Sequence, residues 1–288
     1  TMNALANLFP KLEPIIEYQF QKLKYSISIF CEDFVKYRKL LAREFSLNEN
    51  YSIKLTRCNS DSHRGGLGVY KLLIEGTERR IYKHGLAYLD IAFSPKIKLL
   101  ESKALDTSLR KFKVPKIVKS TSEYNWCECV SYLSLNSESQ LISPYIRLGG
   151  LAYLIYGLCG FDFHYENIIA HGEYPVLIDL ECLFQLVLEF HRDSAFTSGV
   201  EAIGFFPTKL WGTNSSHEVS SLLTKNLKNS FNIPKLKGKT CDLLDYKSEI
   251  LHGFREVYSF CMRERNSILE NIKEHDKGIE SRIIIRPT

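Results

Sequence analysis

Residues 160–184, GFDFHYENIIAHGEYPVLIDLECLF, constrain this chain more than any other stretch. Five polar or acidic side chains, Asp162, His164, Asn167, Asp179 and Glu181, stand there between apolar runs. Ile168, Ile169 and Ala170 are short and apolar, His171-Gly172-Glu173 supplies a turn, and Val176-Leu177-Ile178 is an apolar run with β-branched Val176 and Ile178. The pattern predicts a hairpin that closes on Asp179. Both ends of such a hairpin present carboxylates or amides to one place. Apolar flanks make unpartnered carboxylates costly, so these acids need partners or a bound cation.

Two readings of the five residues stand side by side. In one, Asp162 and Asn167 form turns and Asp179 caps a strand. In the other they perform phosphoryl transfer, which requires a carboxylate to orient the attacking hydroxyl, and an Asn plus a second carboxylate to hold metal ions on the phosphates. Asp162 and Asn167 have the D-x-x-x-x-N spacing of a kinase catalytic loop, and Asp179 follows at the end of the next strand, where a metal-binding Asp belongs.

At 288 residues and 44% hydrophobic, the chain buries a full core. The expected organisation is one two-lobed unit: a helical preface over 1–50, a β-rich N-lobe-like part over 51–135 and a C-lobe-like catalytic part over 136–288. The formal charge of +5 is spread along the chain without a dense basic block, so no nucleic-acid partner is expected; an anionic nucleotide accounts for it. The eight cysteines form no C-x-x-C pair and lack the Cys and His spacing of a zinc site. With no signal peptide at the start and no apolar run long enough for a membrane segment, the expected setting is cytoplasmic, with free thiols. The chain starts on Thr1-Met2 and stops on Thr288 within a strand pattern, which reads as an excised or truncated piece.

Apolar positions at helical spacing from Leu12 to Leu41 predict a pair of amphipathic helices. Strands follow at 52–55, 69–74 and 80–83, with a glycine-bearing turn, Asp61-Ser62-His63-Arg64-Gly65-Gly66-Leu67-Gly68, between the first two. Glycine lets backbone amides approach phosphate closely, although hairpins use it in any case. Lys83 ends the third strand, where a kinase keeps the lysine that pairs with ATP phosphates; a solvated strand-end lysine is the alternative. Asp61 and His63 are two apart, so on an extended chain they point the same way, either as a general-base pair or as a turn residue with a surface His.

Residues 86–115 read as helical, 114–118 and 124–130 as strands, 141–158 as a buried helix and 247–272 as a further helical pattern. A polar, glycine-punctuated segment runs from His191 to Asn214 and reads as a surface loop. The final Ser281-Arg282-Ile283-Ile284-Ile285-Arg286-Pro287-Thr288 reads as a strand whose arginines suit an anion or simply face water.

The segments DSHRGGLGV, IYK, YNWCE, DFHYENIIAHGEYPVLIDLECLF, ILHGFREVY and RIIIRPT, in this order, resemble the dehydratase domain of class II lanthipeptide synthetases, the LanM type. The resemblance spans about residue 10 to Thr288. It implies an α+β, two-lobed lipid-kinase-like fold, itself related to the protein-kinase fold. It also implies ATP and Mg²⁺ as cofactors and a leader-bearing precursor peptide as partner. Two reactions follow: phosphorylation of Ser and Thr, then phosphate elimination to dehydroalanine or dehydrobutyrine. Lys83 then pairs with ATP phosphates, beside the Gly65 and Gly66 turn. Asp162, His164 and Asn167 form the catalytic loop, and Asp179 and Glu181 hold metal with Asn167. Asp61, His63, Arg282 and Thr288 are the elimination residues.

The chain departs from that family at several positions. Its glycine turn has Arg64 and then Leu67-Gly68 where the family has N-G-G-R, and His84-Gly85 replaces a Pro-Arg pair after Lys83. Cys182 stands where Thr is common. The zinc-dependent cyclase domain that follows in the family is not expected here, so ring formation is not either. Two alternatives remain: a non-catalytic piece that binds nucleotide or leader peptide without turnover, and a small-molecule kinase of the aminoglycoside-phosphotransferase type.

Overall fold

A computed structural model describes residues 8–44, 46–48, 50–58, 67–74, 76, 78–85, 87–121, 123–161, 163–185, 200–206 and 231–278. The chain divides into two compact units, one of Thr1–Ala87 with Lys116–Cys129, the other of Tyr88–Pro115 with Val130–Thr288.

The first unit is a helix on an antiparallel sheet. Helix α1 spans Leu12–Glu44, and strands β1 (Ile53–Arg57), β2 (Val69–Ile74), β3 (Glu78–His84), β4 (Ile117–Ser120) and β5 (Tyr124–Glu128) lie in the order β1-β2-β3-β5-β4. Strict alternation on β2 buries Tyr70, Leu72 and Ile74 on one face, where Tyr82, Tyr124 and Trp126 join them. Helix α1 covers that face with Phe30, Leu41 and Ala42. Two polar ties fix its register: Ser26 Oγ lies 2.8 Å from the Tyr70 hydroxyl, and the Tyr82 hydroxyl donates to Asp33 Oδ2 at 2.7 Å. Burial first, then the bond and charge of Asp33, push the Tyr82 hydroxyl far above the usual phenol pKa.

The expected pair of N-terminal helices is one continuous helix of 33 residues. The Tyr25-Ser26-Ile27-Ser28 stretch stays helical, with Ser26 facing the sheet and its hydroxyl meeting that of Tyr70. Before Ser26 the apolar side chains of Ile15, Ile16, Tyr18 and Phe20 remain exposed.

The second unit is mainly helical. It contains α2 (Tyr88–Lys103), α3 (Ile142–Gly157), the two-stranded hairpin β6 (Ile168–His171) and β7 (Tyr174–Leu177), a small hairpin β8 (Lys235–Leu236) and β9 (Lys239–Thr240), then α4 (Lys247–Arg263) and α5 (Arg265–His275). Helix α3 is its centre, buried along most of its length through Tyr145, Leu148, Leu151, Ala152 and Ile155. Helices α3 and α4 touch backbone to backbone. A Cβ on Gly149 would lie 1.9 Å from the Ile250 carbonyl oxygen, and one on Gly253 would lie 1.9 Å from that of Ile146. Only glycine fits at either position.

The helical pattern expected over 247–272 is two helices, interrupted at Glu264. That residue forms an ion pair with Lys103 of α2 and accepts from Arg263 at 3.4 Å. The strand expected at 114–118 begins only at Ile117, since Pro115 has no N–H to give a ladder. Among the described residues no helix is long and apolar enough to cross a membrane.

Candidate functional site

The predicted hairpin is present. Strands β6 and β7 pair with Ile168 opposite Leu177 and His171 opposite Tyr174, and Gly172, at φ 62, makes the two-residue turn. Ile168, Ala170, Pro175 and Leu177 share one buried face of the hairpin, and Val176, also buried, points to the other, so both faces of β7 are covered. At its open end the Ile178 amide donates to the Asn167 carbonyl at 3.1 Å. Asn167 and Asp179 therefore leave the ladder at the same end, on opposite strands.

The chain on either side is stitched to that end. The Asn167 amide donates to the His164 carbonyl at 3.0 Å, and the Glu166 amide donates to His164 Nδ1 at 3.3 Å, so the neutral ring carries its proton on Nε2. Beyond the hairpin, the Glu181 amide donates to Asp179 Oδ1 at 3.4 Å, an Asx-type turn that holds the carboxylate against its own backbone. Three backbone bonds join the flanking segments: Phe161 donates to Cys182 at 3.0 Å, and Phe184 and Gln185 donate to Leu158 and Cys159 at 2.8 and 2.9 Å. Phe163, buried, donates to Ile203 at 2.9 Å, where Gly204, at φ 87, lets the two backbones meet.

Four of the expected site residues are thus gathered in the second unit: His164, Asn167, Asp179 and Glu181, each partly exposed. An amide carbonyl and carboxylates at one hairpin end are hard oxygen donors of the kind Mg²⁺ takes. Among the described residues no three of His, Cys, Asp and Glu are grouped as a metal site. A Mg²⁺ that keeps waters and phosphate oxygens needs only one or two carboxylates from the protein, so the donor set fits that ion.

Lys83 lies in the first unit, near the end of β3, opposite Val69 of β2 and Asn125 of β5. It is on a central strand, partly buried. Asp162, Asp61, His63, Gly65, Gly66, Arg282 and Thr288 lie outside the described residues.

One residue of this region was missed from the sequence. Arg147 of α3 is 4% exposed and donates from Nε to the Lys111 carbonyl and from Nη1 to the Glu173 carbonyl, both at 2.8 Å. Burial pulls its pKa below the ordinary guanidinium value, against the opposing pull of Tyr174 and Glu173. A single Arg in an apolar helix was the available signal, since a buried charge requires partners.

A family described as a domain of unknown function, DUF4135, matches residues 9–230 and 221–288, and the chain belongs to it. Its similarity extends to a lacticin 481/lactococcin biosynthesis protein, LcnDR2, of Lactococcus lactis subsp. lactis, at 24% identity over 91% of this chain and 33% of the relative. The chain spans about a third of the length of that curated relative. The resemblance to class II lanthipeptide synthetases is borne out by this match.

Proposed function

We propose that the chain acts in lanthipeptide modification, as a dehydratase that phosphorylates Ser and Thr of a precursor peptide from ATP and then eliminates the phosphate. The observation that supports it best is the hairpin end, where the backbone bond from Ile178 to Asn167 brings Asn167 and Asp179 to the same end of the ladder after a D-x-x-x-x-N spacing. The lantibiotic-related relative supports the substrate class.

In this reading Asp162 accepts the proton of the attacking peptide hydroxyl, whose oxygen bonds to the γ-phosphorus as the bond to ADP breaks. His164 braces the loop through its carbonyl and ring. Asn167 and Asp179, with Glu181 beside them, would hold Mg²⁺, which would supply positive charge to the phosphate oxygens. Lys83 pairs with the phosphates. For elimination, Asp61 and His63 supply the base that removes the α-proton, the Cα–Cβ double bond forms, and the Cβ–O bond breaks as Arg282 and Thr288 stabilise the departing phosphate. The fold that accompanies this reading is the two-lobed lipid-kinase-like one.

The test is intact-mass analysis of a lanthipeptide precursor incubated with the protein, ATP and Mg²⁺. Loss of the mass of one water per modified residue is expected. Gain of phosphate alone means that transfer works and elimination does not. An unchanged mass with every precursor tried refutes the proposal.

A further inference from the structure

Arg147 is a costly residue to place in the middle of α3. Its neighbours on that face are Pro144, Gly150 and Leu151, all buried, and a well-packed apolar side chain there would stabilise the helix as well or better. The nearest carboxylate, Glu173, is 3.7 Å away and 27% exposed, too loosely paired to offset desolvation by itself. The guanidinium is satisfied instead by two carbonyls and by the face of Tyr174, whose ring centroid is 4.4 Å from Cζ. Two of these contacts, Glu173 and Tyr174, form the closed end of the β6–β7 hairpin.

That end needs holding. A two-stranded hairpin is marginal by itself, and this one is anchored unevenly. Its β6 edge is tied by the Leu133 amide to Ala170 at 3.1 Å, the Gly172 amide to Leu133 at 2.9 Å, the Ala170 amide to Phe231 at 2.7 Å, and the His171 ring to Ser131 at 2.6 Å. Glu173, the second turn residue, and Tyr174 at the start of β7 are tied through Arg147. With that tie removed, the hairpin stays in place along β6 but gains freedom to tilt about it. The movement is then largest on the β7 side, which ends in Asp179.

We propose that Arg147 is a positioning residue. It fixes the tilt of the hairpin, and through β7 the place of Asp179 relative to Asn167, about 17 Å along the chain from Tyr174. Arg suits the task because its planar fork addresses two carbonyls at fixed angles while its face stacks on a ring; lysine keeps the charge and loses the fork. The inference rests on the reading of Asn167 and Asp179 as magnesium-holding residues.

The experiment is calorimetric titration of ATP into the whole chain over a series of Mg²⁺ concentrations, for wild type, Arg147→Lys, Arg147→Met, Asp179→Asn and Asn167→Ala. Amide hydrogen exchange is read on the same samples. For Arg147→Lys the Mg²⁺ concentration giving half-maximal binding rises roughly 10- to 100-fold, the usual consequence of losing the support behind a metal ligand. Exchange accelerates at residues 168–177 and not in β2 or β3. Should Arg147→Met fail to fold, the lysine variant carries the test alone. Wild-type Mg²⁺ dependence in Arg147→Lys overturns the positioning role, whatever the variant's stability, provided that Asp179→Asn and Asn167→Ala lose that dependence. If those two also keep it, the metal reading beneath the proposal falls as well.

Discussion

The crossing of α3 and α4 makes one substitution change sign with position. Replacing Gly253 by alanine adds a Cβ 1.9 Å from the Ile146 carbonyl oxygen, 2.7 Å from its carbon and 3.1 Å from its Cα. An ordinary carbon–oxygen contact is about 3.3 Å, so the helices must part by roughly 1.4 Å, and a gap of that size forfeits a large part of the dispersion between facing atoms. Against this stands the gain in helix propensity, about 1 kcal/mol for alanine over glycine in a helix interior. Overpacking costs about 1–3 kcal/mol and here acts on backbone that cannot rotate away, so Gly253→Ala is expected to destabilise by about 1–3 kcal/mol net. Gly157, exposed at the end of α3, is the control. A Cβ there finds only a Tyr153 ring carbon at 3.9 Å, and alanine is expected to stabilise by a few tenths of a kcal/mol up to about 1. Urea unfolding with the slope held common reads both. Equal shifts of the same sign in the two variants would refute the close crossing.

Tyr82→Phe removes the 2.7 Å bond to Asp33 inside the first unit and is expected to cost about 1.5–3 kcal/mol in urea unfolding; a loss within about 0.5 kcal/mol would mean that Asp33 does not depend on it. Lys96 and Asp276 pair at 2.7 Å with side chains 5% and 10% exposed, so Lys96→Met alone is expected to cost about 3–5 kcal/mol, and adding Asp276→Leu should recover most of it; a double variant no better than the single one contradicts this. Asp106 feels burial, which raises its pKa, but the bonds from His252 at 2.9 Å and the Ser108 amide at 2.7 Å outweigh it and hold the pKa below its ordinary value. The folded pKa is thus the lower one, so the contribution of Asp106 is present above the unfolded carboxylate value near pH 4 and is lost as the pH falls through the folded value. The stability advantage of wild type over Asp106→Asn should accordingly shrink on acidification below about pH 4, and an unchanged gap would contradict the assignment.

What the sequence disclosed was local. The β6–β7 hairpin was legible because two short apolar runs, a glycine turn and β-branched residues all lie within eleven positions, and α3 because its inward residues recur at helical spacing. Non-local features were hidden. Whether Ser26 breaks a helix or faces Tyr70 depends on a strand 44 residues away. Gly149 and Gly253 look like helix-weakening residues until the two helices meet through them. The β8–β9 turn, with Lys237 at φ 49 and Gly238 at φ 79, was obscured by a lysine where asparagine is the usual signal. At the site, spacing along the chain was enough to group Asn167 with Asp179. Arg147 acts on the turn of that hairpin from a helix about 26 residues earlier, and no spacing rule connects the two.

Dehydration by the proposed route requires the γ-phosphoryl group of ATP to pass onto the peptide before phosphate is eliminated. Following γ-labelled ATP with a lanthipeptide precursor and Mg²⁺ tests this directly. Label is expected first in the peptide and then as inorganic phosphate, in amount equal to the dehydrated residues formed, with both steps abolished by Asp179→Asn. Dehydration without label ever entering the peptide, or undiminished in Asp179→Asn, would contradict it.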